Sequence, residues 1–330
     1  DRRWRSRFRQ PGRPRLMRAL LTGFLCVLAA PVVAASPFGG AFLDTGLGAR
    51  AAGMGGAVSA AVEGPAAMLY NPAGIAAWRG RSLLVSYQPL SLDRSRASLA
   101  GSMNVRGPLA FGLAWLHAGV DGLVARNGSG EVKGGIDDAE DAVFFALGIN
   151  ATPRLQLGLG LKIIDHRIEA PLAGESSANG RAVDLGLCYR LGDNTVIGIA
   201  ARNLLDKLSW SVIRPSAQTS SSDEALMSVL ALGVAHDWRG VVNAAFDVEW
   251  LDVGGECNLR AHGGIEAPLN DLLTIRGGVQ RMGDADGFGL PAFGVTMRPM
   301  RMETVQIHYA WVADDIDAGG RTVLTLSSLF

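Results

Sequence analysis

From residue 82 to the last residue, 330, apolar side chains recur at every second position. The runs last roughly 7–13 residues and are broken by Gly, Pro, Asn or Asp. Leu155, Leu157, Leu159, Leu161 and Ile163 share one face, and Gln156, Gly158, Gly160 and Lys162 share the other. Val183, Leu185, Leu187 and Tyr189 oppose Asp184, Gly186, Cys188 and Arg190; Phe246, Val248 and Trp250 oppose Asp247 and Glu249; Val305, Ile307, Tyr309 and Trp311 oppose Gln306, His308 and Ala310. A helix would scatter such residues around its axis, whereas a strand sorts them onto two faces. The pattern predicts fourteen strands: 82–88, 94–105, 108–118, 141–150, 154–166, 181–190, 194–203, 225–236, 241–251, 257–266, 271–281, 289–298, 303–313 and 320–330.

The connections point to a particular all-β architecture. Short turns fall at Ala151-Thr-Pro153, Leu191-Gly-Asp193 and Ala267-Pro-Leu-Asn270, while long segments at 119–140, 167–180 and 204–224 read as loops. Short turns on one side and long loops on the other are the asymmetry of outer-membrane barrels, whose strands of about 9–11 residues cross the bilayer at a tilt. A charge turned toward lipid at mid-depth costs about 2–4 kcal/mol, so one face of each strand must be the lumen. The expected fold is an antiparallel transmembrane β-barrel of about fourteen strands, residues 81–330.

The preceding segment is different. Residues 1–16 carry seven arginines and no apolar period, and are expected to lie upstream of a start at Met17. Residues 17–35 read as a signal peptide: Arg18, an apolar run from Ala19 to Val33, then small residues for cleavage near Ser36. The run is short for a membrane anchor. The first 35 residues hold eight arginines and one aspartate of 31 basic and 31 acidic residues. The remainder therefore has 23 basic and 30 acidic side chains, a net of −7, which offers nothing to nucleic acid. Cys188 and Cys257 make neither a disulfide framework nor a metal spacing.

Residues 36–80 are rich in glycine and alanine, with Gly48, Arg50, Gly53, Gly55, Gly56, Asn71, Pro72 and Gly74 as the marked positions. Met54, Met68, Leu69, Tyr70, Ile75 and Trp78 need burial, which argues for a compact plug over a flexible linker. Residues 57–68 have room for a short helix, interrupted at Gly64-Pro65; Asn71-Pro72 signals a turn, and Gly74 permits a positive φ. The strings Gly48-Ala49-Arg50, Gly53-Met54-Gly55-Gly56-Ala57 and Asn71-Pro72-Ala73-Gly74 resemble the start of PorV/PorQ-like outer-membrane proteins, relatives of the FadL fatty-acid channels. That resemblance covers about 30 residues; the rest matches in architecture and length only. It implies an N-terminal hatch in the lumen, a place in the outer membrane of a diderm bacterium, and contact with outer-membrane lipid. It also implies one of two roles: a channel or binding barrel for small hydrophobic molecules, or a structural or shuttle component of a type IX-like secretion system, with secretion proteins as partners. The final strand ends on Phe330, which resembles the signal read by the barrel assembly machinery.

Lumen-facing charges are expected at Lys162, Asp184, Arg190, Arg202, Asp247, Glu249, Arg260, His262, Glu266, Arg276 and His308, pairing with one another and with Arg50 of the plug. Acidic clusters at Asp137, Asp138, Glu140 and Asp141, at Asp284 and Asp286, and at Asp314, Asp315 and Asp317 read as solvated loop charge rather than metal ligands. The five histidines show no metal spacing, no serine sits in a nucleophile elbow, and no phosphate loop is complete, so neither an enzyme nor a cofactor is expected.

Overall fold

The computed structural model describes residues 39–105, 107–171, 174–214, 219–253, 256–282, 289–300, 304–314 and 319–330. The signal peptide, the upstream arginines, plug residues 36–38, and Asp284, Asp286, Asp315 and Asp317 lie outside them.

Fifteen strands follow the N-terminal segment: β1 (Arg81–Pro89), β2 (Arg94–Asn104), β3 (Leu109–Arg126), β4 (Val132–Thr152), β5 (Leu155–Ala170), β6 (Gly174–Leu191), β7 (Thr195–Ile213), β8 (Thr219–Glu224), β9 (Ser228–Asp237), β10 (Asn243–Val253), β11 (Glu256–Pro268), β12 (Leu273–Met282), β13 (Leu290–Met297), β14 (Val305–Val312) and β15 (Arg321–Leu329). Every pairing between them is antiparallel, and β1 pairs with β15, so the sheet closes on itself. The ring has fourteen staves, because β8 is a short hairpin arm on the far end of β7 and β9 takes its place lower down. At the seam, Phe330 exchanges two backbone hydrogen bonds with Arg81, of 2.8 and 3.0 Å.

Burial is inverted relative to a soluble sandwich. In β1 the exposed residues are Leu83, Val85 and Tyr87, and the buried ones include Ser82, Ser86 and Gln88. Leu159, Leu161 and Ile163 of β5, Leu230, Leu232 and Val234 of β9, and Leu324 and Leu326 of β15 repeat the arrangement. A continuous band of exposed apolar side chains around a closed barrel is what lipid contact requires. Among the described residues no helix is long and apolar enough to cross a membrane.

Most of the described residues in the three segments expected to be long loops are instead strand. β3 to β7 run for 16 to 21 residues, against 8 for β13 and β14, so the wall stands tall on one side. Register continues upward through Val120↔Asp138, Ala139↔Arg167 and Ser177↔Ser211. Above the lipid band both faces meet water, so the apolar alternation stops while the hydrogen-bond ladder does not. Asp137, Asp138, Glu140 and Asp141 accordingly lie on β4 and alternate between its faces. Among the described residues no group of three or more His, Cys, Asp or Glu could hold a metal ion.

Residues 41–76 form short helical turns, Ala41–Thr45, Ala49–Gly53, Gly64–Ala66, Ala67–Tyr70 and Pro72–Ala76. The helical turns begin only at Gly64-Pro65, where an interruption was expected: Gly64 takes φ +68° and Pro65 cannot continue a helix begun before it. Asn71 caps the last turn, its Oδ1 accepting from the Ala73 N–H at 3.1 Å, with Pro72 in the first helical position. Gly74 does not use the positive φ it permits. It is small because a Cβ there would collide with the Val62 carbonyl and Ala67.

Candidate functional site: the plugged lumen

The plug fits the wall through glycine. Gly112, Gly148, Gly158, Gly186, Gly198, Gly264 and Gly278 lie on the inner face of seven staves, all near the short-turn ends. A Cβ on any of them would stand less than 3.0 Å from a plug atom: Met68 at Gly112, Ile75 at Gly148, Pro72 and Ala73 at Gly158, Asn71 at Gly186, Ser59 at Gly198, and Met54 and Gly55 at Gly264 and Gly278. Gly53 of the plug faces Gly294 of β13 in the same way. Backbone packs directly on backbone around the ring. Sequence reading set Gly158 and Gly186 opposite the apolar faces of their strands and did not mark the others; their recurrence at one level was the available signal.

Hydrogen bonds fix the plug's rotation. Asp247 Oδ2 accepts from the N–H groups of Val58 and Ser59, at 2.8 and 2.7 Å. Asn71 Nδ2 donates to the carbonyls of Ser59 (2.7 Å) and Leu187 (3.1 Å), and Asn150 Nδ2 to that of Ala76 (2.9 Å). The Ala49 N–H donates to Thr325 Oγ1 at 2.9 Å.

The charges anticipated in the lumen gather into three groups. Arg50 of the plug makes two 3.0 Å bonds to Glu266, which also binds Arg276. Arg276 continues through Thr296 (2.6 Å) to His308 (2.6 Å) and Ser327 (2.8 Å). In the second group Glu249 takes Arg202 (2.5 Å), Arg260 (2.7 Å) and His262 (3.3 Å), while Arg260 also grips Asp44 of the plug with two bonds. His262 Nδ1 bonds the Gly55 carbonyl at 2.9 Å. In the third, Lys162 lies 2.9 Å from Asp184. Arg190 stands apart, exposed at the short-turn end of β6. Burial alone would raise the Asp44 carboxyl, but the hydrogen bonds and charge of Arg260 outweigh it and hold Asp44 below the usual carboxylate value.

Above the glycine belt the lumen divides. Toward β3–β7 the inner face carries an apolar patch, in which Leu116, Phe144, Ile164 and Leu208 join Phe42 and Leu226 in one buried cluster with Trp210 packed against it, and the Lys162–Asp184 pair lies beside it, Lys162 Nζ 5.7 Å from the centre of the Phe144 ring. Toward β9–β15 the inner face is polar, around a cavity of about 110 Å³ lined by Asp44, Arg202, Glu249, Arg260, Gln280 and Arg321 among others. The turn Ala41–Thr45 sits between the two, Phe42 in the apolar cluster and Asp44 on Arg260.

Beside the apolar half the wall is discontinuous. β7 carries extra residues against β6 between Lys207 and Ala201, with Asn203 at φ +57° and Leu205 at +50°. Opposite, no ladder pair joins β7 to residues 225–227, between β8 and β9. Side chains stitch the gap: Asp206 accepts from the Leu226 N–H, Asn203 Nδ2 donates to the Met227 carbonyl (2.7 Å), and Ser228 Oγ to the Asn203 carbonyl (3.2 Å). From inside, Gly39 pairs with Leu226, its N–H on the Ala225 carbonyl at 3.1 Å. Nothing in the sequence reading anticipated this break. Its available signals were the adjacent pair Leu204-Leu205 and an asparagine in a strand.

Solved structures share this architecture. The Pseudomonas putida toluene transporter TodX superposes with a TM-score of 0.65 at 16% identity, over 86% of this chain and 99% of its own. The fold is the same. The CymD monoaromatic hydrocarbon channel gives 0.62 at 13% identity (87% and 98% covered), and a Pseudomonas aeruginosa FadL homologue 0.58 at 13% (86% and 98%). No protein-family model and no curated protein sequence matches the chain.

Proposed function

We propose that this chain is an outer-membrane barrel for the uptake of small hydrophobic molecules in a diderm bacterium. The observation that carries the reading is the apolar patch on the inner face of β3–β7, Leu116, Phe144, Ile164 and Leu208, standing above the plug and beside the stitched break in β7. Water and ions find the lumen shut at the glycine belt. A hydrophobic molecule has an alternative: it displaces Phe42 from the apolar cluster and leaves sideways, between β7 and β9, into the membrane. The solved barrels of this fold include a toluene transporter and a monoaromatic hydrocarbon channel, which supports the substrate class. Passage of this kind needs no catalytic group.

The plug motifs that resemble PorV/PorQ-like proteins do structural work here. Gly53, Gly55, Gly56, Asn71 and Pro72 fit the plug to its wall and Gly74 packs within the plug, which any plugged barrel requires, so they carry the architecture and no cargo.

Uptake of N-phenyl-1-naphthylamine by intact cells making the protein tests the reading. Probe entry should exceed that of cells without the protein, and Ile164→Asp, which puts a charge on the apolar face, should abolish the excess while the heat-modifiable barrel is still made. If entry never exceeds background and an exported protein co-purifies in fixed ratio, the secretion-shuttle reading takes over. Phe330→Ala is expected to lower the amount of barrel inserted, measured as the heat-modifiable fraction.

A further inference from the structure

A polar group that hydrophobic uptake does not require stands over the apolar patch. β5 and β7 climb away from their short turns, so His166 is the next inner-face residue above Ile164, and Trp210 the next above Leu208. β4 descends toward its short turn, which puts Glu140 and Asp138 above Phe144. Between the two rings β6 contributes Ala178, paired with His166 on one side and Trp210 on the other. Ala178 has no side chain beyond Cβ, so the rings meet edge-on over it, 5.0 Å between centroids, and it is fully buried.

The imidazole is bracketed by acids. Its Nε2 lies 2.9 Å from Asp138 Oδ1 and its Nδ1 3.3 Å from Glu140 Oε1. Among the described residues no other histidine has a carboxylate on each ring nitrogen: His117 has Asp141, His262 has Glu249, and His236 and His308 bond hydroxyls. An imidazole donates from both nitrogens only when charged. The neutral ring keeps one N–H and turns a lone pair on the second carboxylate. That change of charge belongs to the range between about pH 5 and 8. The group is 15–31% exposed, so protons reach it from the tall end of the barrel.

Few other charges face the group among the described residues. β3 sets Ala118 and Val120 beside Glu140 and Asp138, and β6 sets Ser176 and Gly180 on either side of Ala178. On β5, Ile164 and Ile168 flank His166, and Lys162 lower down is held by Asp184. Arg96 of β2 acts on Glu140, and the plug brings the uncharged Gly39 and Phe42. Burial pushes the Glu140 carboxyl above its usual value, with the charge of His166 opposing and that of Asp138 adding. On the far side Trp210 donates from Nε1 to Glu224 Oε2 at 2.7 Å, next to the residues that leave the ladder at the break. A Cβ on Gly39 would stand 3.1 Å from that same oxygen.

We propose that His166, Asp138 and Glu140 form a proton-operated latch: the charged imidazole, held from both sides, keeps Trp210 closed over the apolar patch, and loss of its proton frees Trp210. In the neutral state one carboxylate faces a lone pair, so the ring or that carboxylate must turn away. Either movement withdraws the edge on which Trp210 rests. The closed state is favoured as pH falls through the imidazole range and lost as pH rises through it.

Hydrogen exchange of the full-length barrel in mild detergent tests the latch, read at residues 208–212 as protection relative to the intrinsic rate at each pH. Wild-type protection should fall about tenfold from pH 6 to pH 8, the weight of one charge-assisted hydrogen bond. His166→Gln keeps a hydrogen-bonding side chain that cannot charge, and its protection should stay level. β12 and β13, across the barrel, should stay level in both proteins. Should His166→Gln give no heat-modifiable barrel, Glu140→Gln serves instead: an amide can turn either its oxygen or its nitrogen to the ring, so the change should flatten. Level wild-type protection at 208–212, the same fall in His166→Gln, or an equal fall in β12 and β13 would overturn the proposal. The consequence for uptake rests on the reading above: naphthylamine entry per folded barrel should be slower at pH 6 than at pH 8, and equal at both in His166→Gln. Exchange that follows pH in a barrel admitting no probe would keep the latch and remove the uptake reading.

Discussion

Gly158 shows how much a single residue decides. A methyl group there would overlap the Pro72 carbonyl carbon and the Ala73 nitrogen, backbone atoms that cannot swing aside. Gly158→Ala should therefore cost about 1–3 kcal/mol of plug seating, seen as protease access to the plug while the barrel itself stays heat-modifiable. Gly277, on the outer face of β12 with nothing within 4 Å of its would-be Cβ, is the matched control, and Gly277→Ala should change neither quantity. Asp44 is the second telling residue. Its carboxyl is held below the ordinary value, so its grip on Arg260 is already complete at neutral pH. That contribution should be complete above the usual carboxylate value near 3.8 and be lost progressively as pH falls from there through the lowered value. Asp44→Asn should loosen the Ala41–Thr45 turn at every pH above that window, by about 1–3 kcal/mol for a charge-assisted pair whose acid is 27% exposed. Hydrogen exchange of residues 41–45 at pH 7 and pH 5 measures both: slow and unchanged in the wild type, fast at both values in the variant.

At the scale of elements, what the sequence revealed depended on what lipid enforces. The fourteen staves and their faces were legible because Leu159, Leu161 and Ile163 must meet hydrocarbon and Lys162 and Asp184 must not. The same logic set Arg202, Asp247, Glu249, Arg260, His262, Glu266 and Arg276 toward the lumen with Arg50 of the plug to join them, but which of them Arg50 meets, Glu266, needed the structure. Above the lipid that constraint ends, and the tall parts of β3–β7 passed for loops. The break between β7 and β9 was hidden for another reason. It depends on which side chains replace absent ladder bonds, and Asn203, Asp206 and Ser228 look like ordinary polar residues until their partners are known. Asp206→Ala removes the acceptor of the Leu226 N–H and should raise naphthylamine entry with the barrel intact. Unchanged entry in that variant would place the route elsewhere than this break.

Taken whole, the molecule joins a plugged ring to a stitched break in its wall. The glycine belt fills the ring at the level where a fourteen-stave barrel would otherwise leak, and the uptake proposed above assigns the apolar patch over it to molecules that prefer hydrocarbon to water. Measuring planar-bilayer conductance and naphthylamine entry on the same preparation tests that combination most directly. The expected result is probe entry above background with no open-pore conductance. A stable ohmic conductance in the wild-type protein, or an absence of probe entry from correctly folded barrel, would contradict it.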